Sequence, residues 1–277
     1  MKISVIISTY NRPDALHAVL TGFCHQIPAE NDWEIIIADD GSTNETAKTI
    51  NDFSNIDKIH LQHVWHEDKG FRLAEIRNLA ATQSTGDYLV FLDGDCIPLP
   101  DFVYQHGWLA ERGWAIAGNR ILMSQGFTLD YLSGSVISSH LWNKLDWLKF
   151  RVKKSVNNSL GWLRIGSQAW RKQKAENWKT LRGCNIGIWR NDFEAIHGFD
   201  ATFSGWGYED SDLAVRLIRN GVGIKNGRFS VPVLHLWHKE NDRSFSGENW
   251  KKFEATLSST HTHAKSGIKN MPHGERP

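Results

Sequence analysis

"YLVFLDGDCIPLPDF", residues 88–102, decides how the rest of the chain is read. Five mostly apolar residues run straight into Asp93-Gly94-Asp95. The run reads as a buried strand. A buried strand ending on two carboxylates one glycine apart calls for a positive partner, because like charges this close repel. In an extended segment residues i and i+2 point the same way, so both acids can face one ligand. Gly94 lets a bulky group approach the backbone. Hard oxygen ligands at this spacing suit Mg²⁺ or Mn²⁺ holding a phosphate. The competing reading is an Asp-Gly turn with exposed acids, so the triplet takes its meaning from its surroundings.

Working outward, the first hundred residues alternate in period. "ISVII" (3–7), "WEIIIADD" (33–40), "IHLQHVW" (59–65) and "YLVFLD" (88–93) are short apolar runs with β-branched residues, predicted as strands. Between them, 12–26, 42–53 and 71–84 carry apolar residues at helical spacing. Pro13 stands at a helix start, where proline is tolerated. Strands alternating with helices predict a parallel sheet covered on both faces, with ligands beyond the carboxyl ends of the strands. "STYNR" (8–12), Asp39-Asp40 and Asp93-Gly94-Asp95 all fall at such ends.

The later half is less regular. A helix is expected over 101–113, strands over 114–118 and 183–190, a helix over 208–221, and an extended segment over 229–238. Residues 125–180 give no clear period. Between Lys144 and Arg182, Lys and Arg recur while Asp146 and Glu176 are the only acids, with Trp142, Trp147, Trp162, Trp170 and Trp178 interleaved. From Asn241 the sequence is polar with scattered glycines, and a mobile end is expected.

The bulk numbers set limits. With 277 residues and 40% hydrophobic content the chain can build a real core. A formal net charge of +1 argues neither for nor against nucleic acid. Three cysteines with no CxxC pair make a disulfide framework or structural zinc site unexpected. The apolar run Ile3 to Ile7 is too short for a signal peptide or a membrane span, so the expectation is a soluble, cytoplasmic protein.

Further clusters carry chemistry. In "SGWGYEDSD" (204–212), Gly205 and Gly207 flank Trp206, and Glu209 and Asp210 follow where a helix begins. A carboxylate there meets unpaired backbone N–H groups and suits a general base, or merely caps the helix. In "HLWHKEN" (235–241), His235 and His238 lie three apart. If the segment is extended they face opposite ways and cannot both bind one ion, so a single imidazole is expected beside Asp95. Asp39 is placed to accept from a base N–H, and Thr9 and Arg12 to contact ribose or phosphate.

"VIISTYNRPDAL", "EIIIADDGSTNET", "KGFRLAEIRNLAATQSTGDYLVFLDGDCIP" and "GFDATFSGWGYEDSDLAVRLIRNG" together resemble a family 2 glycosyltransferase of the GT-A fold. The C-terminal half resembles the galactosyltransferase-type segment shared with chondroitin-type polymerases and β-1,4-galactosyltransferases. The resemblance covers about 1–124 and 182–240. It implies an α/β GT-A fold: a Rossmann-like, mostly parallel sheet with helices on both faces and an irregular acceptor-binding region. It also implies one domain over 1–240, divided near 124 into nucleotide-sugar and acceptor parts, with 241–277 as a tail.

Residue by residue, Asp93, Gly94 and Asp95 match the DxD motif that holds a divalent metal, Mn²⁺ or Mg²⁺, and the diphosphate of the donor. Thr9, Tyr10, Arg12 and Asp39 match the nucleotide pocket, and Arg77 a basic position facing it. Trp206, Gly207 and Glu209 match the acceptor loop, Asp210 the base of inverting members, and His238, in preference to His235, the histidine completing the metal site. The implied activity is inverting, metal-dependent transfer of a hexose or N-acetylhexosamine from a UDP-sugar to a glycan or lipid-linked glycan hydroxyl. Bacterial surface polysaccharide or lipopolysaccharide synthesis is the implied setting, with no nucleic-acid partner. UDP-galactose, UDP-GalNAc and UDP-glucose lead as donors. The basic 144–182 stretch suits peripheral contact at the inner membrane face, or equally a solvated insertion whose tryptophans pack on the domain. A nucleotidyltransferase is the first alternative, but "STYNRPD" lacks a glycine-rich phosphate loop. The second is a non-catalytic glycan-binding module, against which Asp93, Asp95 and Asp210 argue.

Overall fold

A computed structural model describes residues 1–54, 56, 59–240 and 242–270. The predicted alternation is present: β1 (Ile3–Thr9), α1 (Pro13–Cys24), β2 (Trp33–Asp39), α2 (Asn44–Ser54), β3 (Leu61–Trp65), α3 (Leu73–Gln83) and β4 (Tyr88–Asp93). Then follow β5 (Cys96–Pro98), α4 (Phe102–Leu109), β6 (Trp114–Ala117), β7 (Asn119–Leu122), α5 (Gln125–Leu132) and α6 (Lys144–Val152). The chain continues through β8 (Asn185–Trp189), α7 (Arg190–Ala195), α8 (Glu209–Arg219), β9 (Gly223–Asn226), β10 (Pro232–His235) and α9 (Ser246–Ser258).

The main sheet runs β3-β2-β1-β4-β8-β6-β9. Its first four strands are mutually parallel, β8 is antiparallel to both β4 and β6, and β9 is parallel to β6. The period-2 pattern sorts the side chains between two layers. Val5, Ile7, Ile35 and Ile37 pack with Leu16, Val19 and Phe23 of α1. Ile6, Ile36, Ala38, Leu89 and Phe91 pack with Ile76 of α3 and Leu213 and Leu217 of α8.

A smaller sheet, β5-β10-β7, stands beyond the end of β4. Strand β10 is antiparallel to β5, with His235 opposite Cys96. The segment predicted as extended over 229–238 is therefore a strand only over Pro232–His235.

The unreadable stretch 125–180 holds α5, α6 and irregular turns. A capping box at Asn143 and Asp146 starts α6. Its Trp147 and Phe150 pack with Trp142 and Phe127, ring centroids 4.7 Å apart for Phe127–Phe150 and 5.1 Å for Trp142–Trp147. Several cations of this stretch are structural. Arg164 pairs with Asp101 at 2.6 Å. Buried Arg171 donates to the carbonyls of Asn226, Arg228 and Ile165, pinning the stretch to the β9–β10 turn.

The sequence reading gives 241–277 no element, yet α9 forms there and docks on α8. Phe253 is fully buried against Trp178, and the Thr256 hydroxyl donates to Asp212 at 2.7 Å. One apolar residue and two hydrogen-bonding side chains fix this helix, too little for a periodic signal. Asn241 of the "HKEN" motif, and residues 271–277, where mobility is expected, lie outside the described residues. Among the described residues no helix is long and apolar enough to cross a membrane.

Candidate active site

The carboxyl ends of β1 and β4, and the residue after β2, open onto one cleft of about 860 Å³. Thr9, Tyr10 and Arg12 line it from the β1 end, and Asp93, Gly94 and Asp95 from the β4 end. The bulky group that approaches Gly94 is the chain itself. Its N–H donates to Ser8 O at 2.7 Å, and a Cβ there would sit 2.6 Å from that oxygen.

Arg77, on α3, lies beneath this edge and is fully buried. It donates to Asp93 Oδ1 (2.7 Å), Ser8 Oγ (2.9 Å) and Gly183 O (2.9 Å), tying β1, β4 and the approach to β8 together. Asp93 keeps 34% of its side chain exposed. Burial by the surrounding protein nevertheless pushes its carboxyl above the ordinary range against the pull of Arg77, and the Asp95 charge adds to the rise.

Asp95 faces two histidines. His238 Nε2 lies 3.3 Å from Oδ2 and His235 Nε2 3.7 Å from Oδ1. The donor atoms of Asp95, His235 and His238 all fall within 4.8 Å of one another. This corrects the expectation that only one imidazole can reach an ion. The strand ends at His235, and Leu236 N donates to Asp95 O at 2.9 Å, so Trp237 and His238 leave the alternating geometry. His238 Nδ1 meets the Lys239 carbonyl at 2.7 Å, and a carbonyl can only accept. In the neutral ring Nε2 thus points a lone pair at a carboxylate, an arrangement that a cation between them resolves. Burial holds His235 below its usual value, in the neutral form that ligates metal. Cys96 Sγ also approaches Asp93 and Asp95, but burial pushes its thiol well up and keeps it protonated. The donor set of carboxylates and imidazoles fits a divalent ion such as Mn²⁺.

Trp206, Glu209 and Asp210 line the same cleft. Gly205, Gly207 and Tyr208 have φ of +74°, +110° and +72°, turning the chain sharply into α8. Gly207 does not line the cleft; its part is this backbone turn. Trp206 is 38% exposed, with the Arg243 guanidinium 5.0 Å from its ring centroid. Asn249 of α9 donates to Ser204 O at 3.0 Å, bracing the loop. Asp210 is held by two backbone donors, Gly183 N to Oδ2 (2.9 Å) and Ser211 N to Oδ1 (2.7 Å). The Glu209 carboxyl is raised to about 7 by burial and then by the Asp210 charge.

Asp39 stands apart from these. It is 1% exposed, accepts from Ser42 N at 2.8 Å and meets His63 Nε2 at 3.0 Å. Its neighbour Asp40 lines the cleft instead, held by Arg72 N at 2.8 Å and His66 at 2.6 Å. Strand parity carries the missed signal: Ile36 and Ala38 face the α3 layer, and Asp40 continues that series. Arg120, Arg182 and Lys239 also line the cleft, with no spacing in the sequence to announce them.

A sheet of this order, with an acidic pair at the end of β4 and a histidine segment folded back on it, defines the class: this is a GT-A-type fold. The chain belongs to glycosyl transferase family 2, whose profile matches residues 4–195. A second profile, described as the N-terminal domain of galactosyltransferase, matches 164–239. The chain is 27% identical over 243 residues to validoxylamine A glucosyltransferase of Streptomyces hygroscopicus subsp. limoneus, covering 82% of this chain and 50% of that protein. It is 28% identical over 252 residues to chondroitin synthase of Escherichia coli, covering 86% and 34%. It thus spans half or less of the length of these relatives. Among solved structures, S. aureus TarS 1–349 in complex with UDP superposes with a TM-score of 0.63 at 15% identity, covering 97% of this chain and 68% of that one. A mannosyltransferase from Pyrobaculum calidifontis, in complex with GDP-Man and Mn²⁺, gives 0.61 at 17%, covering 91% and 64%.

Proposed function

We propose that this chain is an inverting, metal-dependent hexosyltransferase or N-acetylhexosaminyltransferase. It takes the sugar of a UDP-sugar and places it on a hydroxyl of a glycan or lipid-linked glycan. The observation that carries this reading is the make-up of one cleft. Asp95, His235 and His238 form a candidate metal-holding group with Asp93 beside it, and the cleft that Asp93, Asp95 and His238 line is also lined by Glu209 and Asp210. Relatives and neighbours whose names include UDP, UDP-GlcNAc and a glucosyl transfer support it.

In this reading Asp95, His235, His238 and Asp93 hold Mn²⁺ or Mg²⁺, which supplies Lewis-acid stabilisation of the charge on the departing diphosphate. Arg77 fixes Asp93 and with it the end of β4. Its Nη1 and the Thr9 hydroxyl are buried without a partner among the described protein atoms, and both suit a ligand rich in acceptor oxygens. Tyr10, Arg12 and Asp40 surround the nucleotide; Asp39 acts indirectly, by shaping the turn after β2. Trp206 offers its exposed face to the acceptor sugar. Asp210, oriented by its two backbone donors, takes the proton from the acceptor hydroxyl as that oxygen attacks the anomeric carbon opposite the leaving group. One displacement inverts the configuration. Glu209, titrating near neutrality, donates a hydrogen bond to the acceptor when protonated. We place the enzyme in the cytoplasm, in bacterial surface polysaccharide or lipopolysaccharide synthesis.

The test is a panel of nucleotide sugars with Mn²⁺, read as release of the nucleotide. UDP-galactose, UDP-GalNAc and UDP-glucose are the first candidates. Release of UDP from at least one, abolished by EDTA, is expected. Silence against all UDP-sugars, with another nucleotide sugar turned over, rejects the donor class.

A further inference from the structure

We propose that the outward face of α6 docks on the surface of an anionic phospholipid bilayer. Helix α6 is apolar on two faces, unlike an ordinary surface helix. Trp147 and Phe150 face inward into the aromatic cluster with Phe127 and Trp142. Leu145, Leu148 and Val152 point to solvent and are 75%, 55% and 74% exposed. At 3.6 residues per turn these three fall within an arc of about 60°, nearly opposite the two buried rings. Leu141, just before the helix, is 61% exposed and extends the strip. Surface helices normally turn such residues inward, so this strip needs a cover.

Charge identifies the cover. Lys149 flanks the strip on one side and Lys144 and Arg151 on the other, and Lys153 and Lys154 follow the last turn. Lys144 sits over the Trp162 ring, 4.4 Å from its centroid. The side chains of Lys149, Arg151, Lys153 and Lys154 have no acidic or hydrogen-bonding partner among the described residues, in contrast to Arg164, Arg171 and Lys172 farther along. The only acid of the helix, Asp146, is tied to the N-terminal cap. Beside the C-terminal end, Arg151 and Lys154 line a depression of about 350 Å³ with Leu122 and Asn157, whose cationic rim suits an anionic lipid headgroup.

An apolar strip flanked by free cations on an exposed helix is the pattern of an interfacial segment: the aliphatic groups enter the headgroup boundary while the cations meet anionic lipid. A second copy of this chain is the poorer cover, because facing strips would bring like charges together. The rigid aromatic cluster beneath makes the face preformed, so binding orders little new structure. The inference stands independently of the transfer reaction.

The test is cosedimentation of the purified chain with vesicles of phosphatidylglycerol and phosphatidylcholine, against phosphatidylcholine alone. Binding only to the anionic vesicles, weakened by raising salt, is expected. Each cation contributes about a five-fold gain in partitioning, so Lys153→Glu with Lys154→Glu should lower binding at least about 25-fold. Leu145→Ser with Leu148→Ser and Val152→Ser should lower it at least about ten-fold with the fold retained by circular dichroism, because all three side chains are largely solvent-exposed. Binding indifferent to both variants overturns the proposal. So does a dimer in sedimentation equilibrium that the triple serine variant dissolves, which would assign the face to a second copy.

Discussion

Replacing Asp210 by asparagine separates chemistry from binding, and the structure sets the size of each effect. Both carboxylate oxygens accept a backbone N–H, Oδ2 from Gly183 at 2.9 Å and Oδ1 from Ser211 at 2.7 Å. An amide of the same shape has one acceptor and one donor, so one of the two N–H groups must face an NH₂. That mismatch costs roughly 1–3 kcal/mol, or about 2–5 °C in melting temperature for a chain this long. The protein stays folded. The amide cannot take the acceptor proton, and loss of a positioned general base lowers turnover roughly 10²–10⁴-fold. Asp210 is in neither candidate metal-holding group, so UDP affinity with Mn²⁺ should change less than about two-fold. The assay pairs UDP release, using whichever donor the panel yields, with calorimetric UDP binding. A variant turning over within ten-fold of wild type refutes the assignment, and equal losses in turnover and UDP affinity would move Asp210 to the donor side.

Other predictions follow from the same geometry. Arg77→Met removes a buried cation bonded to Asp93, Ser8 and Gly183, and should cost roughly 3–5 kcal/mol in urea unfolding; a loss below about 1 kcal/mol would contradict the bracing role. Gly94→Ala puts a methyl 2.6 Å from Ser8 O, so the end of β4 must shift, at roughly 1–3 kcal/mol of stability and at least a ten-fold loss of UDP affinity; unchanged affinity would mean the acidic pair is not a ligand. Glu209 titrates near 7 in the fold, up from 4.5. Between those values the folded state holds a proton that the unfolded chain has lost, so this contribution is full below about pH 4.5 and falls as pH rises to 7. Glu209→Gln should therefore be more stable than wild type at pH 8, by on the order of 3 kcal/mol, relative to their difference at pH 4.5. Thermal melts that give the same offset at both pH values would refute the shift.

Much of the fold was legible because the parallel half announces itself. Buried strands such as 33–39 and 88–93 read as continuous apolar runs, and the helices between them keep their own period. The acidic pair and Asp210 were legible because they sit at element ends, and Trp206 because two glycines flank it. What stayed hidden depends on contacts distant in sequence. His235 reaches Asp95 only because β10 pairs with β5, a register no local pattern records. Asp40 and Asp39 differ by one step of strand parity, and the resemblance favoured the wrong side of that step for cleft lining. Helix α9 is held by Phe253, Asn249 and Thr256 against partners dozens of residues away. In α6 the solvent-facing leucines and the buried rings together erase the usual amphipathic signal.

The central claim is that Asp95, with the histidines folded onto it, holds a divalent ion that in turn holds the nucleotide diphosphate. Calorimetry of UDP binding to wild type and Asp95→Ala, each with Mn²⁺ and with EDTA, tests it most directly. Wild type should bind at least about ten-fold tighter with the metal, and Asp95→Ala should lose that difference. UDP binding of equal strength in all four conditions would contradict the account.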